Sequence, residues 1–202
     1  MVFEVRIHGR GGQGVVTAAE LLSLAAFEEG LRAQAFPSFG SERMGAPVTA
    51  FCRISDLPIR LREPIAEPDA VVVQDPTLLH HVDVFGGLRE QGFVLVNSKR
   101  TLAQLGLSEL YDRHLPPRLR STPASEIARE RLGRPIANAA LLGGLSALTA
   151  VVRLSSLVRA IEQRLPASVV EGNVLAARET YERVRSTLGE GHGALDGEAT
   201  HA

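Results

Sequence analysis

The 202-residue chain has one cysteine, no tryptophan and few aromatic residues. A single thiolate cannot hold an iron–sulfur cluster or a structural zinc ion. None of the six histidines has a partner at the spacing of two metal ligands on one helix. We therefore predict that the chain binds no metal ion, and that Cys52, within an apolar alternation, is a small core residue.

Long apolar runs and an excess of charge of one sign are also missing. The longest small apolar segment, residues 137–152, ends at Arg153 and is too short to span a membrane. The first residues are charged and lack the shape of a signal peptide. The net charge of −1 argues against a general nucleic-acid binder. We expect a cytoplasmic protein that binds neither membrane nor nucleic acid.

Strand and helix patterns alternate along the first two thirds of the chain. Apolar alternation and apolar runs predict strands at residues 2–7, 33–36, 47–54, 69–75 and 93–98. A hairpin partner for 47–54 is predicted at 57–60, and helices are predicted at 15–29 and 82–91. Residues 119–133 predict a strand end and then a helix that ends at Gly133, with Ser125 as one possible N-cap.

The last third of the chain is predicted to be helical. Residues 138–152 are small and apolar all round, which predicts a buried helix, with Gly143 and Gly144 allowing close packing. Further helices are predicted at 155–164 and 168–188. The sequence therefore predicts one Rossmann-like three-layer α/β domain over residues 1–188, with a largely parallel sheet, a hairpin and a helical C-terminal third. Residues 189–202 are predicted to be a disordered tail.

A glycine-rich segment, GRGGQG, joins the first strand to the first helix. Its exposed N–H groups and the helix dipole would favour an anion. The glycines fit G-x-G-x-x-G, a weak signal by itself, and no acidic residue before Glu42 is placed to bind a ribose. The alternatives are a nucleotide, another phosphate ligand, or glycines that serve only close packing of the helix on the strand.

The loop at 37–46 and two strand ends carry further candidates. In the loop, polar side chains lie between Phe36, Phe39 and several small residues, so it either faces a cleft or is a solvated turn. Asp75 ends a strand just before a proline and is predicted to be an N-cap. Lys99 and Arg100 follow the next strand and are candidates for a phosphate contact.

Three motifs occur in one order: GRGGQGVVTAAELL, AFPSFGSERMGAPVTAFCRISDLPIRLRE and PDAVVVQDPTLL. Together they closely resemble the gamma subunit, or gamma domain, of the pyruvate/2-oxoacid:ferredoxin oxidoreductases. The likeness runs from about Val5 to Leu79, and more loosely through NAALLGGL. Such enzymes convert a 2-oxoacid and coenzyme A to an acyl-CoA, CO₂ and reduced ferredoxin (EC 1.2.7 type).

The resemblance implies a hetero-oligomer of alpha, beta, gamma and delta subunits that reduces ferredoxin or another acceptor. Thiamine diphosphate with Mg²⁺ would lie between alpha and beta, and [4Fe–4S] clusters in beta and delta. The gamma chain would bind neither, would have no catalytic residue and would be inactive alone. The oxoacid is left open among pyruvate, branched-chain and aryl acids.

The resemblance also implies two sites in this chain. The first would help to bind coenzyme A through one of its phosphates, at Gly11, Gly12, Gln13 and Gly14, with Arg10 adding charge. The second would face the alpha and beta subunits and close the active-site channel, at Ser38, Phe39, Gly40, Ser41, Glu42 and Arg43. The usual family loop is nearer FPSFGPERRGAPV, so Ser41 stands for proline and Met44 for arginine, which puts pyruvate in doubt as the substrate. The alternative function is a free-standing nucleotide- or phosphate-binding regulatory module.

Overall fold

A computed structural model of the chain describes residues 1–38, 44–61 and 63–189. In this part of the chain the strands are β1 Val2–Arg10, β2 Arg32–Pro37, β3 Pro47–Ser55, β4 Ala70–Val73, β5 Phe93–Asn97 and β6 Leu119–Thr122. The α-helices are α1 Val15–Phe27, α2 Leu110–Arg113, α3 Ala124–Leu132, α4 Asn138–Thr149, α5 Leu154–Arg164 and α6 Ala167–Gly189. None of the described helices is long and apolar enough to cross a membrane.

The six strands form one mixed sheet in the order β2-β3-β1-β4-β5-β6. Strands β1, β4, β5 and β6 are parallel, and β3 runs antiparallel to both of its neighbours. The nine residues of β1 pair with β3 over their full length, from Val2↔Ser55 to Arg10↔Pro47. The four parallel strands therefore present their carboxyl ends along one edge of the sheet, which is where α/β sheets bind ligands. The predicted α/β fold with a largely parallel sheet is confirmed.

The two faces of the sheet are covered differently. One face packs against α1, α3, α4, α5 and α6 in a large core of small and branched apolar residues that includes Cys52. The opposite face of β4 and β5 packs against apolar side chains from residues 76–118, a segment of turns, short 3₁₀ helices and α2. The layer that covers this face of the sheet is thus built of irregular structure rather than of long helices.

Helices α4 and α6 pack closely because the residues between them are small. A β carbon on Gly143 would overlap the backbone carbonyl of Ala177. A β carbon on Gly144 would instead meet side-chain methyl groups, 3.1 Å from one of Leu95 and 3.2 Å from that of Thr180. The prediction that the two glycines permit close helix packing is confirmed, and Gly143 is the stricter of the two.

Three local predictions are wrong. Strand β3 pairs with β2 rather than with residues 57–60, because β1 and β2 take both of its edges. The helix predicted at 82–91 is a series of turns, in which Gly87 adopts φ 74° against the carbonyl of Ala66. Ser125 is not the N-cap of α3, since the helix begins at Ala124 after Pro123 and Ser125 lies inside it.

The end of α3 is as predicted, with Gly133 in the left-handed conformation. Helix α6 continues to Gly189, the first residue of the predicted tail. The remainder of that predicted tail, residues 190–202, lies outside the described residues.

Candidate functional site

The glycine loop leaves the carboxyl end of β1 in a conformation that needs glycine at two positions. Gly12 has φ 91°, and Gly14, the N-cap residue of α1, has φ 73°. Gly9 has a packing role, because a β carbon there would lie 2.6 Å from a methyl group of Val15. The glycine pattern therefore serves both close packing and an unusual backbone path, and the two explanations for it do not exclude each other.

The glycine loop is joined to the residues that precede β3. Gly11 N donates to Ala46 O at 2.9 Å, and Gly45 N donates to Gly11 O at 3.1 Å. The two segments, which appear separate in the sequence, therefore form one unit at the edge of the sheet. Only the antiparallel pairing of β1 with β3 brings them together, and local patterns do not reveal that pairing.

The side chain of Gln13 is turned toward the protein. Its Oε1 accepts from Arg10 N at 2.8 Å, and its Nε2 donates to Asp75 Oδ2 at 2.8 Å. The Gln13 N–H donates to Arg10 O at 3.1 Å. Within residues 1–38, 44–61 and 63–189, no acceptor is found for the N–H groups of Gly12 and Gly14. Of the predicted cradle, Gly12 and Gly14 thus have N–H groups without an acceptor among the described residues, whereas the N–H groups of Gly11 and Gln13 are bonded within the protein.

A cavity of about 250 Å³ lies beside the loop. It is lined by Arg10 and by three of the four residues predicted to bind coenzyme A, Gly11, Gly12 and Gly14. The first turn of α1 and Val48 complete the lining. The first turn of a helix has unpaired N–H groups and a partial positive charge. The cavity is below the usual size range of a site for a whole cofactor. Its size and donors suit one anionic group.

Larger depressions also occur away from this edge of the sheet. One of about 640 Å³ lies between α5 and α6, and its walls include Leu165, Val170, Val174 and Leu175. Glu162 and Glu171 also line this depression, so the charged residues among its described lining are acidic and do not suit an anionic ligand. Size alone therefore does not identify the functional site.

Arg10 is bonded to two segments that follow other strands. Its Nη2 donates to Thr77 Oγ1 at 2.8 Å, its Nη1 donates to Gly45 O at 3.1 Å, and its Nε lies 3.2 Å from Asp75 Oδ2. The side chain remains 27% exposed and borders the cavity. Arg10 is thus held in place while it keeps part of its guanidinium beside the cavity.

Asp75 is the N-cap of a 3₁₀ helix over Pro76–His80, as predicted, and Thr77 N donates to its Oδ1 at 3.0 Å. Burial alone would raise the pKa of Asp75. Hydrogen bonds from Thr77 and Gln13 and the charge of Arg10 outweigh burial, so the pKa lies below its usual value. The carboxylate therefore stays ionised at neutral pH.

Asparagine side chains that were not predicted as site residues extend this polar edge. Asn97 at the end of β5 donates to Gln74 O at 2.9 Å and to Ser125 Oγ at 2.7 Å. Asn138, the first residue of α4, has its Nδ2 3.4 Å from Gly14 O. The sequence indicates these positions only through an asparagine at the end of a strand, Asn97, and an asparagine at the start of a helix, Asn138.

The cations predicted after β5 do not reach the cavity. Lys99 Nζ is 3.4 Å from Glu126 Oε1, and the Arg100 guanidinium donates to Gln104 O. Neither lines the glycine-loop cavity. Their predicted role as phosphate contacts finds no geometric support at this site.

Part of the second predicted site can be located. Ser38 N donates to Thr49 O at 2.7 Å, and Phe36 stacks on Phe51 with ring centroids 5.1 Å apart. Met44 is 88% exposed and lies over Gly12. The predicted site residues Phe39, Gly40, Ser41, Glu42 and Arg43 lie outside the described residues.

Comparison with known proteins decides the family. A family model described as pyruvate ferredoxin/flavodoxin oxidoreductase matches residues 4–183. The chain belongs to this family. The predicted resemblance is therefore confirmed over most of the chain's length.

Several relatives of the chain are themselves subunits. It is 49% identical over 182 residues to the common subunit gamma of the pyruvate/ketoisovalerate oxidoreductases of Pyrococcus furiosus, covering 90% of this chain and 97% of the relative. It is 46% identical over 184 residues to the pyruvate synthase subunit PorC of Methanothermobacter marburgensis, covering 91% and 98%.

A solved structure agrees with these relatives. Subunit PORC of the pyruvate oxidoreductase (EC 1.2.7.1) of Thermotoga maritima superposes with a TM-score of 0.74 at 36% identity, over 90% of this chain and 96% of that one. The fold and the sequence therefore point to the same subunit type.

The residues of this chain do not fit the iron–sulfur clusters that the family implies for the complex, because the sequence has a single cysteine. Cys52 is fully buried in the core, and burial raises the pKa of its thiol, so it offers no thiolate. In the described part of the chain, no three His, Cys, Asp or Glu side chains are grouped to hold a metal ion. The glycine-loop cavity, by contrast, suits an anionic group of a ligand.

Proposed function

We propose that the chain acts as the gamma subunit of a 2-oxoacid:ferredoxin oxidoreductase and that its glycine loop binds a phosphate group of coenzyme A. The observation that carries the proposal is the cavity at the start of α1, which is lined by Gly12, Gly14 and Arg10. Backbone N–H groups, a helix N-terminus and an arginine together favour a phosphate. Coenzyme A carries both a diphosphate and a ribose phosphate.

The proposed assembly contains alpha, beta and delta subunits, which hold thiamine diphosphate with Mg²⁺ and the [4Fe–4S] clusters. The complex converts a 2-oxoacid and coenzyme A to an acyl-CoA, CO₂ and reduced ferredoxin, or passes the electrons to another acceptor. This chain supplies no catalytic side chain and is inactive alone. The buried state of Cys52, the only thiol in the sequence, supports this division of roles.

The second proposed site is the loop at 38–43, facing the alpha and beta subunits at the active-site channel. Two described residues support its position. Ser38 is hydrogen-bonded to β3, and Met44 is exposed beside Gly12, so both ends of the loop lie at the edge that carries the glycine loop.

In place of the expectation that Met44 puts pyruvate in doubt, oxoacid choice is proposed to depend mainly on the other subunits. The name of the Pyrococcus relative describes one gamma subunit common to a pyruvate and a ketoisovalerate oxidoreductase, which supports this division. Met44→Arg then leaves the order of preference among pyruvate, branched-chain and aryl oxoacids unchanged. A reordered preference would assign specificity to this loop.

The coenzyme A proposal is tested by steady-state kinetics of the assembled complex with Gly12→Ala. We expect the KM for coenzyme A to rise about fivefold or more, because the new methyl group lies at the cavity and shifts the loop, while the KM for the oxoacid stays unchanged. Gly133→Ala is the matched control, since Gly133 also has a positive φ but ends α3 away from the cavity. Equal changes in both KM values would count against the proposal.

Isolation of the tagged protein from its native cells tests the assembly itself. Brown partner subunits, with oxoacid- and coenzyme A-dependent reduction of a viologen dye, are the expected result. A colourless protein without partners would favour a free-standing phosphate-binding regulatory module.

A further inference from the structure

Arg10 connects three segments of the chain through its side chain. The residue itself begins the glycine loop, Gly45 precedes β3, and Thr77 belongs to the 3₁₀ helix after β4. Its guanidinium donates to an oxygen in each of the other two segments. A flexible surface arginine would not hold two fixed partners that are so far apart in sequence.

The partner on the β4 side is itself fixed. Thr77 Oγ1 accepts from Arg10 Nη2 at 2.8 Å and donates to Asp75 Oδ1 at 2.6 Å. Asp75 Oδ2 accepts from Gln13 Nε2 at 2.8 Å. The hydrogen bonds therefore run from Arg10 through Thr77 and Asp75 and return to the glycine loop at Gln13.

The geometry leaves part of the guanidinium for a ligand. A guanidinium has five N–H groups. The hydrogen bonds from Nε and Nη2 to Thr77 Oγ1 and from Nη1 to Gly45 O use one on each nitrogen. One N–H on Nη1 and one on Nη2 then remain in the described structure. Because an arginine fork is planar and rigid, its fixed bonds determine the direction of the remaining two.

We propose that Thr77 and Gly45 position Arg10: their hydrogen bonds with it fix the glycine loop and orient the remaining N–H groups of Arg10 toward a bound phosphate. The inference rests on the proposed coenzyme A site. It adds that fork geometry, and not positive charge alone, determines affinity at that site. It also makes Thr77, which does not line the cavity, part of the recognition of the ligand through Arg10.

The test uses the assembled complex with four variants, and the KM for coenzyme A and kcat are measured for each. Thr77→Val removes the hydroxyl and keeps the side chain's shape, whereas Thr77→Ser keeps the hydroxyl. Arg10→Lys keeps the charge without the fork. Gly12→Ala reports on the phosphate site independently.

We expect Arg10→Lys to raise the KM for coenzyme A about tenfold, the usual effect of losing charge-assisted hydrogen bonds. Thr77→Val is expected to raise it about threefold, and Thr77→Ser is expected to restore the wild-type value, because a single neutral hydrogen bond is worth less. In each case kcat with saturating coenzyme A stays near wild type.

The inference is overturned if Thr77→Val leaves this KM unchanged while Gly12→Ala raises it, since the phosphate site would then exist without the positioning bond. A wild-type KM for Arg10→Lys also overturns it, because charge alone would then suffice. If Gly12→Ala and both Arg10→Lys and Thr77→Val leave the KM for coenzyme A unchanged, the proposed coenzyme A site fails as well.

Discussion

The sulfur of Met44 lies against Gly12, at a place where a β carbon on residue 12 would come within 2.5 Å of it. The thioether is near the end of a flexible side chain that is 88% exposed. It can therefore move away at little cost. The positive φ of Gly12 is a stricter constraint on this position, because the backbone path is fixed by the hydrogen bonds of its neighbours.

Gly12→Ala is accordingly expected to lower the free energy of unfolding by about 1–2 kcal/mol, the cost of a left-handed conformation for alanine. Adding Met44→Ala is expected to change this cost by less than about 0.5 kcal/mol, because the exposed methionine side chain can move away from the new methyl group. Urea unfolding of the wild type, both single variants and the double variant provides the measurement. Full rescue by Met44→Ala would mean that the methionine is held in place.

The close packing of Gly143 against Ala177 predicts a larger loss of stability when alanine replaces this glycine. Gly143→Ala places a methyl group on a backbone carbonyl, so α4 and α6 must separate, and we expect a loss of about 3 kcal/mol or more. Gly144→Ala meets only side-chain methyl groups and is expected to cost less than about 1 kcal/mol, partly offset by the higher helix propensity of alanine. The two variants differ by one position and are compared by the midpoint of urea unfolding. Equal losses would show that the helices can shift.

The imidazole of His8 predicts a pH dependence of stability. His8 is 5% exposed, and burial, followed by the charge of Arg6, lowers its pKa from 6.5 to about 4 although Asp83 opposes the shift. Between pH 6.5 and 4 the unfolded chain binds a proton here that the folded chain does not. Stability therefore falls as the pH falls through this window, by on the order of 3 kcal/mol in total.

His8→Gln removes this contribution, since glutamine does not titrate. Urea unfolding at several pH values is expected to show a smaller loss of stability between pH 6.5 and 4 in the variant. All other histidines are common to both proteins and cancel in the comparison. Parallel curves for the two proteins would contradict the lowered pKa.

The thiol of Cys52 is expected to be unreactive in the folded protein. It is fully buried, and burial raises its pKa, so little thiolate forms at neutral pH. Mass spectrometry after treatment with iodoacetamide is expected to find no adduct on the native subunit and one adduct in denaturant. Rapid labelling of the native protein would mean that the core opens around β3.

The parts of the fold that could be predicted from sequence are those set by local patterns. Strand β1, helix α1 and the three valines of β4 each carry their own periodicity or apolar run. The small apolar segment at 138–152 predicted a helix buried on all sides, and α4 is buried in that way. The hairpin at 57–60 was wrong because strand partners depend on residues far apart in sequence, and β3 already has β1 and β2 on its edges.

In the candidate site, too, local sequence patterns predict some features, and others depend on contacts between residues far apart in sequence. Glycine spacing between a strand and a helix correctly located the loop, whereas the positive φ angles of Gly12 and Gly14 are known only from the structure. The direction of the Gln13 side chain depends on Asp75, more than sixty residues away, as the hydrogen bond between them shows. The hydrogen bonds of Asn97 to Gln74 O and of Asn138 to Gly14 O likewise join segments that are far apart in sequence.

The hydrogen bonds that hold the glycine loop have a consequence for the kinetics and thermodynamics of association. Ordering a flexible loop around a ligand would cost conformational entropy at each binding event. Here Gly11, Gln13 and Arg10 are already bonded to their partners, so that entropy is lost once, when the chain folds. A ligand of the proposed phosphate site would therefore meet a preformed surface, and its exchange would not have to wait for the loop to rearrange.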